Sequence, residues 1–279
     1  MRLVIQGTAI TFAHLAHIHQ LSGTSVQFTQ IAQHAYYLAN QGTPIESVIE
    51  FCTAQKIDCA YVQDKHLINH YGLCVMDMDS TLISIECIDE IADMIGIKPQ
   101  IAAITERAMQ GELDFAQSLR ERVALLKGLK ETDLLRVLNE RLRLNPGANE
   151  WIAACKANNI TTLLVSGGFT FFADRVKAML NLDYAVSNTL EIINGKLTGK
   201  VLGNIVDAQT KADELIKLRD QLGLAAAQTI AIGDGANDLK MMHAAGIGIA
   251  YHAKPIVQEK ATYALNFMGL DGVINLINT

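Results

Sequence analysis

Through the C-terminal two thirds of the chain, short apolar runs alternate with stretches whose apolar residues recur at helical spacing. "GLCVMD" (72–77), "TTLLVS" (161–166), "TIAIGD" (229–234) and "GIGIAY" (246–251) are β-rich, and each runs into turn or helix-start residues. This alternation predicts a parallel sheet covered by helices on both faces, because each parallel connection must cross over the sheet. Ligands of such open α/β sheets bind outside the carboxyl ends of the strands. There the chain places Asp77 and Asp79, then Ser166 with Gly167 and Gly168, then Asp234 and Asp238.

Over eighty residues separate the first of these strands from the second, too many for a simple crossover. "IECIDEIADMIG", "ELDFAQSLRERVALLKGL" and "LLRVLNERLRL" carry helical spacing, which predicts an inserted helical subdomain over about 88–144, ended by Asn145-Pro146-Gly147. An insertion at that point overhangs the ligand edge, as a lid or as a structural addition. "EIINGKLTGKVLG" (191–203), with Asn194-Gly195 between β-like arms, predicts a small hairpin appended to the sheet. Residues 1–70 have a different rhythm: "RLVIQ", a helical "FAHLAHIHQL", "AYYLAN", a helical "ESVIEFCTAQ" and "DCAYVQ". They predict a small α/β module with its own sheet, ahead of a main domain over 71–279.

Composition narrows the function classes. With 279 residues, half of them hydrophobic, the chain can bury a sizeable core. The net charge of −6 and the lack of a Lys/Arg cluster leave nucleic-acid binding without an electrostatic footprint. Cys52, Cys59, Cys74, Cys87 and Cys155 form no CxxC pair, so neither a disulfide framework nor a zinc knuckle is expected and a reducing cytoplasm fits. No window approaches the ~18 uninterrupted apolar residues of a membrane span, and the N-terminus lacks the pattern of a signal peptide. A soluble, unsecreted protein with no membrane partner is expected. His14, His17, His19 and His34 bring no acids or cysteines with them, so they read as surface or core histidines rather than ligands.

The strand ends carry the chemistry. Asp77 and Asp79 lie two apart, so both leave the backbone on one side as the strand runs out. One carboxylate can attack phosphorus and form an acyl phosphate, and a second can protonate the leaving alkoxide and later deprotonate water. Ser166 and the glycine amides, just before a helix beginning near Thr170, favour an anion. Lys211 stands in the first turn of an amphipathic helix, where a cation is unusual. "IGDGANDLKMM" offers Asp234 and Asp238 around Gly235 and Asn237, oxygen donors of the kind Mg²⁺ prefers, without the pattern of a calcium loop. A bound cation would let these clustered acids ionise together.

"DMDST", "SGG", Lys211 and "GDGAND", in this order, resemble the four motifs of the haloacid dehalogenase superfamily of phosphotransferases. "DMDSTLISIECIDEIADMIG", "ELDFAQSLRERVALLKG", "VSGGFTFFADRV" and "IAIGDGANDLKMMHAAGIGIAYHAKP" are similar, within it, to the phosphoserine phosphatase family. The resemblance covers about Leu73 to Ala264 and leaves residues 1–72 outside. It implies a Rossmann-like core with a helical cap, and Mg²⁺-dependent hydrolysis of O-phospho-L-serine to L-serine and phosphate, the last step of serine synthesis. Asp77 would be the nucleophile and Asp79 the general acid/base. One Mg²⁺ would be held by Asp77, the Asp79 carbonyl and Asp234, with Asp238 in support. Ser166, Gly167 and Lys211 would hold the phosphoryl group, Asn237 the metal end, and Glu86 and Arg122 would select the substrate while Met109 and Phe115 line the pocket. Phosphoserine carries an ammonium and a carboxylate, so an acid and an arginine fork are the right types. "SLRERV" by itself does not choose between Arg120 and Arg122; the resemblance selects Arg122. The rival readings are a phosphatase for phosphohomoserine or an amino-alcohol phosphate, and a non-enzymatic amino-acid sensor. For residues 1–70 an ACT-like regulatory role, a homodimer contact and simple stabilisation are the roles in view.

Overall fold

The computed structural model describes residues 1–277. The chain opens with β1 (Arg2–Gln6), α1 (Phe12–Ser22), β2 (Thr29–Ala32), β3 (Ala35–Leu38), α2 (Glu46–Ala54) and β4 (Asp58–Val62), a βαββαβ unit. Its sheet runs β2-β3-β1-β4 with every neighbouring pair antiparallel. All five residues of β1 are buried because the sheet is covered on both sides. Leu3 and Ile5 pack with Ile18, Leu38, Val48 and Cys52 under the two helices, while Val4, Ala60 and Val62 join the core of the main domain. β2 escapes the sequence pattern: it is a four-residue edge strand, mostly exposed, with no apolar alternation to reveal it. The histidines serve structure. His14 closes a capping box with Thr11 at the start of α1, and His17 packs on the Phe51 ring.

The main domain begins with β5 (Leu73–Met76) and continues into four helices, α3 (Cys87–Met94), α4 (Lys98–Met109), α5 (Phe115–Ala124) and α6 (Glu131–Glu140). It returns through α7 (Ala148–Ala157), β6 (Thr161–Phe169), α8 (Thr170–Leu180), β7 (Tyr184–Ile193), β8 (Lys196–Leu202), α9 (Ala208–Gln221) and β9 (Thr229–Gly233). It closes with α10 (Leu239–Ala244), β10 (Ile247–Tyr251), α11 (Pro255–Gln258), β11 (Tyr263–Leu265) and α12 (Gly272–Ile277). The seven strands are ordered β11-β10-β9-β5-β6-β7-β8, parallel except for the β7–β8 pair. β5 is therefore flanked by β6 and β9, and the three strand ends richest in polar residues are neighbours. The hairpin expected over 191–203 turns at Asn194 and Gly195, both at positive φ, as a two-residue loop requires. Its first arm is longer than the sequence suggested, because β7 also pairs with β6.

Helices α3–α6 form the insertion. Its two ends are drawn together by an Ile83–Leu144 bridge and by Asn145, whose Nδ2 donates to the carbonyls of Thr81 (2.8 Å) and Ile83 (3.1 Å). Gly147 follows at φ 78°, where a Cβ would lie 2.3 Å from the Asp271 nitrogen, so only glycine fits. The far side is stitched to the hairpin: Gly128 N–H donates to Leu197 O, and Glu131 N–H to Gly195 O.

The N-terminal module is fastened to the carboxyl end of the chain by polar groups. Asp58 accepts three backbone N–H bonds, from Asn266 (2.6 Å), Phe267 (3.1 Å) and Met268 (2.8 Å). The Arg2 guanidinium donates to the carbonyls of His66 and Leu276, Gln6 donates to Gly272 O, and Asn275 donates to Gln6. His66 Nδ1 meets the Tyr263 hydroxyl at 2.7 Å. Apolar packing and this network make one continuous core of the module and the β11–α12 edge.

Candidate active site

β5 delivers Asp77 at its carboxyl end, where Asp77 N–H still donates to Ile232 O and extends the ladder to β9. Met78, between the two aspartates in the chain, is buried in the core, while Asp77 and Asp79 on either side of it both face the cavity at the sheet's edge. Asp77 Oδ1 accepts the Met78 N–H at 2.7 Å, which leaves Oδ2 for its neighbours. Asn237 Nδ2 stands 3.5 Å from Oδ2, and the Lys211 ammonium 2.6 Å from it.

Lys211 reaches this point from the first turn of α9, whose N-cap Asp207 accepts the Thr210 N–H. Its ammonium also donates to Asp238 Oδ1 at 2.8 Å, and the residue is only 1% exposed. Burial on its own lowers an ammonium pKa, but Asp77 and Asp238 outweigh it and hold Lys211 above its ordinary value. Asp238 spends its other oxygen on the Gly235 N–H at 3.1 Å. Asp234 accepts from the Thr81 hydroxyl at 3.3 Å.

The third strand end holds the residues expected to favour an anion. β6 runs through Ser166, Gly167 and Gly168 to Phe169, and α8 begins at Thr170. Gly168 N–H donates to Ser166 Oγ at 2.9 Å. A Cβ on Gly168 would sit 2.9 Å from Asp79 Oδ2, so the glycine lets the backbone close on the second aspartate.

Five acids and two bases share this region, and four of the acids are raised. Burial first, then Glu86 and Asp77, push the Asp79 carboxyl well above the ordinary carboxylate range, although Cys87, whose N–H donates to Oδ1, pulls the other way. Burial and Asp77 raise Asp238 to about 7, against Lys211. Burial, Asp77 and Glu86 raise Asp234 to about 6. Glu86, crowded by protein on its inner side, is also raised despite the Ser80 hydroxyl donating to it at 2.7 Å. Arg122 is lowered by burial, against Asp89 and Glu86.

One cavity of about 140 Å³ is bounded by Asp77, Asp79, Ser166, Gly167, Asp234 and Asn237 below and by Glu86, Phe115 and Arg122 from the helical insertion, while Lys211 and Asp238, both buried, are not in its lining. Ile88, Leu119, Gly168 and Phe169 complete the wall. Phe115 lies over Gly167, its ring carbon 2.8 Å from where a Cβ would be. Met109 does not line the cavity: it ends α4 and is 75% exposed. Arg120 is exposed and off the cavity, whereas Arg122 lines it. Leu119 went unread in the sequence, yet its signal is there. Phe115, Leu119 and Arg122 stand at i, i+4 and i+7, one face of α5, and that phase excludes Arg120.

Asp77, Asp234 and Asp238 each offer a carboxylate oxygen, all within 4.8 Å of one another. Among the described residues Lys211 is the one ammonium paired with this cluster, which is therefore short of positive charge, and burial followed by the Asp77 charge raises Asp234 and Asp238. Hard oxygen donors around an uncompensated negative charge fit a small divalent cation such as Mg²⁺. Asp77 and Asp238 each have both oxygens engaged, and Asp234, which among the described residues accepts only from Thr81, at one oxygen, is the freest donor of the three. The Asp79 carboxylate is outside this cluster.

Residues 71–246 match the haloacid dehalogenase-like hydrolase family model. A phosphoserine phosphatase of Haemophilus influenzae is 44% identical over 278 residues, spanning 99% of this chain and 88% of that protein. The phosphoserine phosphatase of Vibrio cholerae is 53% identical over 225 residues, 81% of this chain and 68% of its own length. The crystal structure of a probable phosphoserine phosphatase from Vibrio cholerae, in unliganded form, superposes with a TM-score of 0.88 at 44% identity, over 99% of this chain and 86% of that one. The likeness thus extends across the N-terminal module, which the sequence motifs had left outside. The chain belongs to the haloacid dehalogenase-like hydrolase family.

Proposed function

We propose that the chain is a phosphoserine phosphatase, hydrolysing O-phospho-L-serine to L-serine and phosphate as the last step of serine synthesis. The observation that carries this reading is a single cavity with a paired-carboxylate strand end at its floor and a carboxylate and a guanidinium, Glu86 and Arg122, in its wall. The floor suits a phosphate ester, and the wall suits the ammonium and carboxylate of an amino acid. The named relatives support the same substrate.

Asp77 attacks phosphorus; its carboxylate oxygen forms the new O–P bond as the bond from phosphorus to the serine oxygen breaks. Asp79, whose pKa is raised by burial and by Glu86 and Asp77, gives its proton to the departing serine oxygen. As a carboxylate it then takes a proton from the water that attacks the acyl phosphate, releasing phosphate and restoring Asp77. Ser166, the Gly167 amide and Lys211 bind the phosphoryl oxygens, and Asn237 and Asp238 brace the floor. Asp77, Asp234 and the Asp79 carbonyl would hold one Mg²⁺, which when bound supplies positive charge to the phosphoryl oxygens. Phe115 closes over Gly167 and excludes water, and Met109 would join it only if α4 moved inward. The catalytic domain is 71–279 with its cap at about 88–144; residues 1–70 carry none of this chemistry and stabilise the β11–α12 edge. Among the described residues no helix is long and apolar enough to cross a membrane and the five cysteines are free, which suits a cytoplasmic enzyme.

The test is hydrolysis of phosphoserine and of phosphoethanolamine, which lacks the carboxylate. Wild-type protein should turn over phosphoserine with Mg²⁺ and stop when EDTA removes it. Arg122→Ala removes a charge from a desolvated pair, so it should cost roughly 2–5 kcal/mol, or about 30- to 4,000-fold in kcat/KM, for phosphoserine alone. Equal losses on both esters would make Arg122 a structural residue, and a change within about threefold on both would point to a broader small-metabolite phosphatase.

A further inference from the structure

Asn188, in the middle of β7, faces the phosphate loop from behind and is 1% exposed. Its Nδ2 donates to Gly167 O at 2.8 Å and its Oδ1 accepts from Val206 N–H at 2.8 Å. The two bonds have opposite polarity, so a flipped amide would set oxygen against oxygen and N–H against N–H; one orientation is enforced. The β6–β7 ladder is irregular between Val165 and Phe169, so the side chain bridges the strands where the backbone pairing breaks.

The consequence reaches the site through peptide geometry. In a trans peptide the C=O and the following N–H point in opposite directions. Drawing Gly167 O toward Asn188 therefore turns Gly168 N–H away from it, toward Ser166 Oγ, which accepts it at 2.9 Å. With that lone pair occupied, the Ser166 hydroxyl is left to donate its own proton into the cavity. The other bond fixes Val206, next to the Asp207 N-cap of the helix that carries Lys211. One buried amide thus ties two phosphoryl-binding elements, the Ser166–Gly168 loop and the start of α9.

We propose that Asn188 is a positioning residue for phosphoryl binding, setting the Ser166–Gly168 loop and the Lys211 helix in register. This deepens the phosphatase reading and rests on it only for the identity of the anion. Its removal should weaken the binding of any phosphate group and leave discrimination between phosphoserine and phosphoethanolamine unchanged, because Glu86 and Arg122 are untouched.

The experiment uses the full chain with Mg²⁺ and inorganic phosphate as the probe. Asn188→Asp keeps the shape and the acceptor for Val206 but sets a carboxylate against Gly167 O; Asn188→Ser removes both bonds. In either folded variant, titration calorimetry should give a phosphate Kd raised about tenfold or more, the loss expected for one buried hydrogen-bond bridge. The kcat should fall on both esters in equal proportion. A lower melting temperature with phosphate affinity within about twofold of wild type would make Asn188 a folding residue only and overturn the proposal. In the wild-type protein, phosphate should shift the NMR signals of the Asn188 side-chain amide and the Gly168 N–H; signals that stay in place would overturn it without any variant. If wild type binds phosphate but leaves phosphoserine intact, the phosphatase reading fails while the Asn188 test still reads out.

Discussion

Two buried polar networks in this molecule are built on opposite terms. At the module–core seam, Asp58 has three backbone donors, Arg2 has two carbonyls, and His66 has the Tyr263 hydroxyl. At the strand ends, Asp77, Asp79, Asp234 and Asp238 share one region in which Lys211 pairs with Asp77 and Asp238, and burial, helped by neighbouring carboxylates, raises the pKa of Asp79, Asp234 and Asp238. The seam ties its charges to backbone groups and so holds parts together, although burial still raises the Asp58 carboxyl and Arg2 Nε has no partner among the described residues; the strand ends keep carboxylates in excess of cations, which something else can balance. The same residue type, aspartate, docks a domain in one place and prepares chemistry in the other, and the partners decide which.

The contrast breaks most visibly at Asp77. Asp77→Asn should fold, since Lys211 keeps Asp238, yet lose at least about 1,000-fold in phosphoserine turnover, as expected when a nucleophile is removed. Phosphate release at wild-type rate would refute the nucleophile assignment. Asp58→Ala should do the reverse, leaving three N–H groups of the seam, one of them fully buried, without their acceptor at a cost of about 3 kcal/mol in urea unfolding, with little change in kcat of the folded protein. An unchanged unfolding midpoint would mean that the seam is held by apolar contact alone.

A smaller effect separates the networks by sign. A carboxyl raised to about 6 in the folded protein weakens the fold as pH rises from its ordinary 3.8 through 6, because the folded state resists losing the proton. Asp234→Asn should therefore raise the melting temperature of the metal-free protein near neutral pH by about 2–4 °C, while abolishing Mg²⁺-dependent turnover. A lower melting temperature would show that Asp234 is satisfied as Asp58 is. The smallest effect belongs to His66, whose pKa is lowered from 6.5 by burial first, then by Lys65, Arg2 and His70. Above pH 6.5 it is neutral folded or unfolded and contributes nothing pH-dependent. As pH falls below 6.5 the unfolded chain binds the proton first, so stability is lost toward the folded pKa. The melting-temperature gap between wild type and His66→Gln should shift against wild type between about pH 7.5 and pH 5.5; a constant gap would remove His66 from the pH response of the seam.

The chain by itself determined its elements wherever a period or a turn signal was strong. The four apolar strands, the helical insertion and the Asn194-Gly195 hairpin stand where the pattern put them, because side-chain alternation and left-handed turn residues act over a few positions. Asp77, Asp79, Ser166 and Asp234 were legible for the same reason, as polar residues at the ends of apolar runs. What lies across the fold was not legible. Lys211 reads locally as a surface charge and is sealed between Asp77 and Asp238. Arg122 is distinguished from Arg120 by the face of α5 that lines the cavity, and Met109 is set aside by its exposure at the end of α4. Asp58 and Asn188 carry no motif; each gained its role from backbone groups in distant parts of the chain. Local sequence sets which faces an element has, but which faces meet depends on packing between remote segments, and the partners that fix a buried charge or amide come only with that packing.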